Sequence, residues 1–189
     1  LELLWADLKD GLAEATFAFD PTSQTARLLG TSLSRQYDNT GEGPNYIWGT
    51  ADFVARHCDT EQVVIVDYKT GLIPVDAATS HQLAFLALAA HRHYDTEDVV
   101  ARIVHIREDS TFHFNERVYD AELLRDFAAH LGELQQVISV FAKWHEMGKT
   151  LPVNIGEHCK YCPALASCPA SAAVFENLQW ATDKDSLAA

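Results

Sequence analysis

The stretch Val63-Val64-Ile65-Val66-Asp67-Tyr68-Lys69-Thr70-Gly71 opens with four β-branched residues in a row and predicts a buried strand. Side chains alternate along a strand, so Val63, Ile65, Asp67 and Lys69 share one face while Val64, Val66 and Tyr68 share the other. A carboxylate and an ammonium at the end of a buried strand cost desolvation energy unless they pair or hold a metal. Gly71 is expected to let the chain turn sharply at the mouth of such a site.

A second acidic residue lies upstream in Trp48-Gly49-Thr50-Ala51-Asp52-Phe53-Val54-Ala55, which also reads as a strand. The polar stretch His57 to Gln62 suits a hairpin, and closing it brings Asp52 alongside Asp67. Downstream, past Pro74, a helix is expected to begin near Ala77 and to carry Gln82 one turn in.

An Asp, then Asp-X-Lys on the next strand, then a helix with Gln resembles the PD-(D/E)XK nuclease superfamily, and within it the RecB-type and CRISPR-associated exonuclease branch. That branch has Gly-X-X-Asp, Asp-Tyr-Lys-Thr-Gly and Gln-X-X-X-Tyr. Here the matching residues are Gly49 to Asp52, Asp67 to Gly71, and Gln82 to Leu86, with Leu86 replacing the tyrosine and Phe85 beside it. The resemblance implies a central mixed β-sheet flanked by helices, with a C-terminal cysteine-rich loop. It also implies metal-dependent hydrolysis of DNA from an end, in recombination, repair or end processing. In that scheme Asp52, Asp67 and the Tyr68 carbonyl hold Mg²⁺ or Mn²⁺. Lys69 orients the attacking water or stabilises the transition state, and Gln82 positions the water or a phosphate. The competing reading is a noncatalytic nucleic-acid-binding or assembly module that keeps the fold.

The 189 residues are 48% hydrophobic and 22% charged, enough for one domain with a substantial core. No apolar run has the length of a membrane helix and no basic-then-apolar leader opens the chain, so a soluble, cytoplasmic protein is expected. A net charge of −13 is unusual for a DNA enzyme, whose footprint is normally basic. Bound divalent ions would supply the local positive charge, and a larger nuclease or helicase assembly would supply a basic channel. The absence of an initiator Met suggests a trimmed or excised piece.

Three of the four cysteines fall in Cys159-X2-Cys162-X5-Cys168, a metal-ligand spacing rather than a disulfide framework. In the exonuclease branch named above, three similar cysteines and one N-terminal to the core hold a [4Fe–4S] cluster. The resemblance therefore implies such a cluster on Cys159, Cys162 and Cys168, with its fourth ligand expected before Leu1. Cys58 is a less favoured fourth ligand, because it lies inside the core motifs and, at roughly 3.3 Å per residue, about 20 Å from the carboxylates. It is expected to be a buried or idle thiol. His158 would instead complete a Cys3His zinc site. Three reduced thiols in a proline-stiffened loop remain the bland alternative.

Leu1, Leu4, Trp5, Leu8 and Leu12 follow helical spacing and predict an amphipathic first helix, against which the cysteine loop is expected to pack. Strands are predicted over 25–37, 46–58, 63–69, 99–106 and 111–118, and helices from Ala77 to about Tyr94 and from Asp120 to Gly148. The second helix carries Leu124, Phe127, Leu131, Leu134, Ile138 and Phe141 as a core stripe. One domain is expected: a core over about 1–150, the cysteine loop and a short helix over 151–182, and a polar tail over 183–189. The scattered histidines, among them His91, His93, His105 and His113, read as surface or structural. Walker, zinc-protease and Gly-X-Ser-X-Gly motifs are missing, which removes those enzyme classes.

Overall fold

The computed structural model describes residues 6–31, 43, 45–70, 75–107, 109, 111–156, 159, 162–168 and 170–171. Gly71, Pro74, His158 and the Leu1–Trp5 part of the expected first helix lie outside them. So do the predicted strand residues beyond Thr31 and nearly all of the short helix and tail after the cysteines. The chain divides into two compact units, Leu1–Ile138 and Ser139–Ala189.

The first unit is a six-stranded mixed sheet with helices. Its strands are β1 (Leu8–Asp20), β2 (Thr25–Thr31), β3 (Ile47–His57), β4 (Val63–Lys69), β5 (Asp98–Ile106) and β6 (Phe112–Asp120). They lie in the order β2-β1-β3-β4-β5-β6. Only β4 and β5 run parallel, and helix α1 (His81–Tyr94) forms the crossover that a parallel pair requires. Helix α2 (Ala121–Glu146) begins directly after β6, where the Asp120 carboxylate accepts the Leu123 N–H as an N-cap does.

Helix α1 is buried all round from Leu83 to Ala90, the signature of a core helix rather than a surface one. Its leucines join Ala15, Phe17 and Phe19 of β1, Val63 and Ile65 of β4, and Ile103 of β5 in one cluster. The predicted alternation of the decisive strand holds: Val64 and Val66 belong to a second cluster with Val104, against which Phe53 and Tyr68 pack. Beside that second cluster Arg102 is only 7% exposed. It donates to Asp7 at 2.7 Å and to Glu116 at 2.5 Å, tying the chain ahead of β1 to β5 and β6.

The predicted first helix is corrected from Leu8 onward, where the chain is strand β1. Helical spacing put Leu8 and Leu12 on one face. In the sheet Leu8 packs with the second cluster and Leu12 with the first, on opposite sides, because the pairing with β3 shifts register between Lys9 and Leu12. Pairing with β3, from Leu8–His57 to Phe19–Ile47, overrides the local preference. With no helix over these residues, the cysteine loop has no first helix to pack against among the described residues. Helix α1 also starts later than expected, at His81 after a turn over 77–79, with the Ser80 hydroxyl capping Leu83 N–H. The α2 stripe reaches the core only through Leu124, Phe127 and Leu131. Leu134 is 44% exposed and Ile138 65% exposed.

Gly49 is where β3 meets α1. A Cβ placed there would lie 2.6 Å from Phe85 Cε1 and 3.3 Å from Leu86 Cδ2, inside contact distance of a buried ring. Gly49→Ala is expected to cost about 1–3 kcal/mol by overpacking. Adding Phe85→Leu should recover part of that loss. Urea denaturation of the single and double variants checks both, and an unchanged midpoint for the single variant would remove this account of Gly49.

Candidate active site

The ladder between β3 and β4 runs from Arg56–Val63 to Phe53–Val66 and stops. One step further in the same register, Asp52 would face Asp67. At that point the strands are no longer paired, and the N–H of Tyr68 turns to a side chain instead, donating to Asp52 Oδ2 at 2.7 Å. The parting of two strands and the placing of the first carboxylate are thus one event. A cleft of about 630 Å³ opens there, lined by residues of β3, β4 and the first turns of α1.

Asp67 is 3% exposed. Its Oδ1 accepts from Gln82 Nε2 at 3.1 Å, and its Oδ2 lies 2.6 Å from Lys69 Nζ. Lys69 thus pairs its ammonium with the buried Oδ2 while Gln82 holds Oδ1. Lys69 Nζ also reaches Gln82 Oε1 at 3.4 Å. Asp52, Asp67, Lys69 and Gln82, taken from three elements, therefore meet in one cleft, with the Tyr68 backbone between the two carboxylates. Burial raises the Asp67 pKa above the usual carboxylate range. Lys69 and Gln82 pull it back, and the charge of Asp52 pushes it up further. Burial likewise raises the Tyr68 hydroxyl.

The two carboxylates and the Gln82 carbonyl oxygen are the hard oxygen donors that Mg²⁺ and Mn²⁺ take. His81 also lines the cleft, with its ring stacked near Phe127 at 6.5 Å. Sequence reading passed over it, although its place directly before Gln82 at the helix start was the available signal. Leu86, the departure from the tyrosine pattern, is fully buried and lies beside Gly49.

The cysteines stand apart from this chemistry in kind. Cys159, Cys162 and Cys168 are free thiols along a chain of tight turns, with Cys162 N–H donating to Cys159 O at 3.1 Å. Gly156 N–H donates to Cys159 Sγ at 3.4 Å. Among the described residues no three His, Cys, Asp or Glu side chains are gathered as a metal cage. Cys58 is exposed rather than buried, just beyond the far end of β3 from Gly49, and its N–H donates to Asp7 O.

The model of the PD-(D/E)XK nuclease superfamily matches residues 4–169, and the chain belongs to that superfamily. Its members are usually metal-dependent nucleases. Among solved structures, the chain is similar to the one described as "Crystal structure of SSO0001", with 20% identity and a TM-score of 0.38. The match covers 67% of this chain and 52% of that one, so this chain spans about half the length of that protein. No curated protein matches.

The Asp67 shift has a consequence for stability. With its native pKa above the unfolded value, the folded protein binds the proton more tightly than the unfolded chain. Stability is then lost as pH rises from the unfolded value through the raised native one, and stays lowered above both. Asp67→Asn imitates the neutral form. In EDTA it should melt above wild type at neutral pH, and the gap should close as pH falls and wild-type Asp67 takes up its proton. A gap independent of pH in thermal melts would contradict the assignment.

Proposed function

We propose that this domain is a Mg²⁺- or Mn²⁺-dependent deoxyribonuclease that hydrolyses DNA phosphodiesters from an end. The observation that carries the reading is the buried Asp67 carboxylate, held beside Asp52 and paired with Lys69 in one cleft. Burying one carboxylate next to another opposes stability, and a cation held by both would offset that cost. Asp52, Asp67 and the Tyr68 carbonyl hold the metal. A divalent ion bound there supplies an acidified water and neutralises charge on the phosphate. Lys69 holds the attacking water, or stabilises charge on the phosphate as it develops. Gln82, bonded to both Asp67 and Lys69, keeps these two groups in register and presents its carboxamide to the water or a phosphate oxygen. The preference for ends, and a role in recombination, repair or end processing, rest on the resemblance of the motifs to the RecB-type branch.

The net charge of −13 supports a second reading, in which the domain works inside a larger nuclease or helicase assembly that supplies the basic channel. Taken alone, that charge also favours a noncatalytic module. Calorimetry with Mn²⁺ separates the two, because a module without the metal site gives no heat that depends on Asp67. End-labelled and circular DNA should then be incubated with Mg²⁺ or Mn²⁺. Wild type is expected to degrade the linear form, while Asp67→Ala and Lys69→Ala fold normally and cut nothing. Full activity in either variant refutes the site.

We further infer that Cys159, Cys162 and Cys168 bind a soft centre with a structural role, a [4Fe–4S] cluster or, with His158, zinc. The support is their spacing and thiolate chemistry, which suits no hard cation of the hydrolytic kind. Anaerobically purified protein should contain iron and sulfide and lose stability when they are removed. Stoichiometric zinc would replace the cluster with the Cys3His site, and protein containing neither metal would end both.

A further inference from the structure

Gln82 is effective only if α1 begins in one place relative to β4. Residues 71–74 separate the strand from the described turn that leads into the helix, and that turn is gripped from outside by side chains of β5 and β6. Asn115 grips it twice. Its Oδ1 accepts the Ala77 N–H at 2.7 Å, and its Nδ2 donates to the Val75 carbonyl at 3.1 Å. Tyr119, four residues along β6 and so on the same face, donates its hydroxyl to the Ala77 carbonyl at 3.0 Å. His105 Nε2 sits 3.1 Å from the Val75 carbonyl.

From this anchor the chain runs to Gln82 with little slack. Ala77 is fully buried, so its N–H has no water to turn to if Asn115 lets go. Asp76 Oδ1 accepts the Ala78 N–H, and the Asp76 carbonyl accepts the Thr79 N–H. Ser80 then caps Leu83 and accepts the Ala84 N–H. Gln82 follows two residues after the cap, reaching Asp67 at 3.1 Å and Lys69 at 3.4 Å. The longer of these contacts is lost by a small shift of the helix start.

We propose that Asn115 is a positioning residue for the nuclease centre, its carboxamide fixing the start of α1 so that Gln82 bridges Asp67 and Lys69. The proposal rests on the nuclease reading for its catalytic consequence. Its structural half stands independently. The carboxamide offers an acceptor to Ala77 and a donor to Val75 from two separate atoms at once. Asn115→Asp keeps the acceptor and turns a second oxygen toward the Val75 carbonyl.

The test compares wild type with Asn115→Asp on linear DNA with saturating Mn²⁺. The variant is expected to lose about 10- to 100-fold in kcat with KM unchanged, as for a misplaced catalytic group. Amide exchange should quicken over 77–83 and stay slow in β3 and β4. In a Gln82→Ala background the same substitution should cause no further loss of kcat. Additive losses, or faster exchange with kcat intact, overturn the proposal. If Asn115→Asp folds poorly, Tyr119→Phe removes a single bond to the same turn, and a smaller kcat loss of the same kind is expected; an unchanged kcat overturns the proposal. Should wild type fail to cut DNA, the nuclease reading falls alone. The side-chain amide resonance of Gln82 then decides, since a shift in Asn115→Asp supports the anchor and an unmoved signal overturns it.

Discussion

The first unit is organised around one costly act, the burial of an ionisable carboxylate at the point where two strands part. Asp67 sits at 3% exposure with Lys69 at 2.6 Å, and burial still outweighs that attraction in setting its pKa. On one edge β4 stays paired with β5 through Lys69, while its pairing with β3 ends at Val66, just before Asp67. The paired strand thus fixes where the carboxylate sits, which is how preorganised sites are made.

Holding the carboxylate there demands close approach between α1 and the sheet. Helix α1 achieves it with small side chains, Ala84, Ala87, Ala89 and Ala90 alternating with leucines, and Gly49 clears the way for the Phe85 ring. The first turns of α2 close the cluster through Leu124 and Ala128. The core and the site are consequently the same piece of engineering. Gln82 stands one residue before the buried run of α1, so packing that fixes Leu83 and Leu86 also fixes the reach of the carboxamide.

Legibility in the sequence follows the range of the forces involved. β4, its turned-in Asp67 and Lys69, the hairpin at His57 to Gln62 and the helix bearing Gln82 are all local patterns, and all appear close to their expected bounds. β1 was misread because four-residue leucine spacing suits one face of a helix, while the register shift between Lys9 and Leu12 that sends these leucines to opposite faces of the sheet leaves no mark in that spacing. Only its pairing with β3 decides between helix and strand. The run Ala15 to Phe19, buried throughout and closed by Pro21, was the missed signal. The grip of Asn115 on Ala77, 38 residues apart, has no local trace at all. Nor has the exposure of Leu134 and Ile138, which depends on what lies beside them rather than on their spacing.

The acidity of the chain is less contradictory than it looks. Charges on exposed surface act over about 8–10 Å at physiological salt, whereas those in a cleft of low dielectric act on their neighbours almost unscreened. What a phosphate meets at the site is therefore set by Asp52, Asp67, Lys69 and any cation between them, and much less by the −13 of the whole. Empty, the two carboxylates against one lysine leave the cleft repelling an anion. Filled by a divalent ion, the local sum changes sign. On the proposed function, affinity for DNA and hydrolysis both arrive with the metal, so the overall charge suppresses binding in its absence without opposing the reaction.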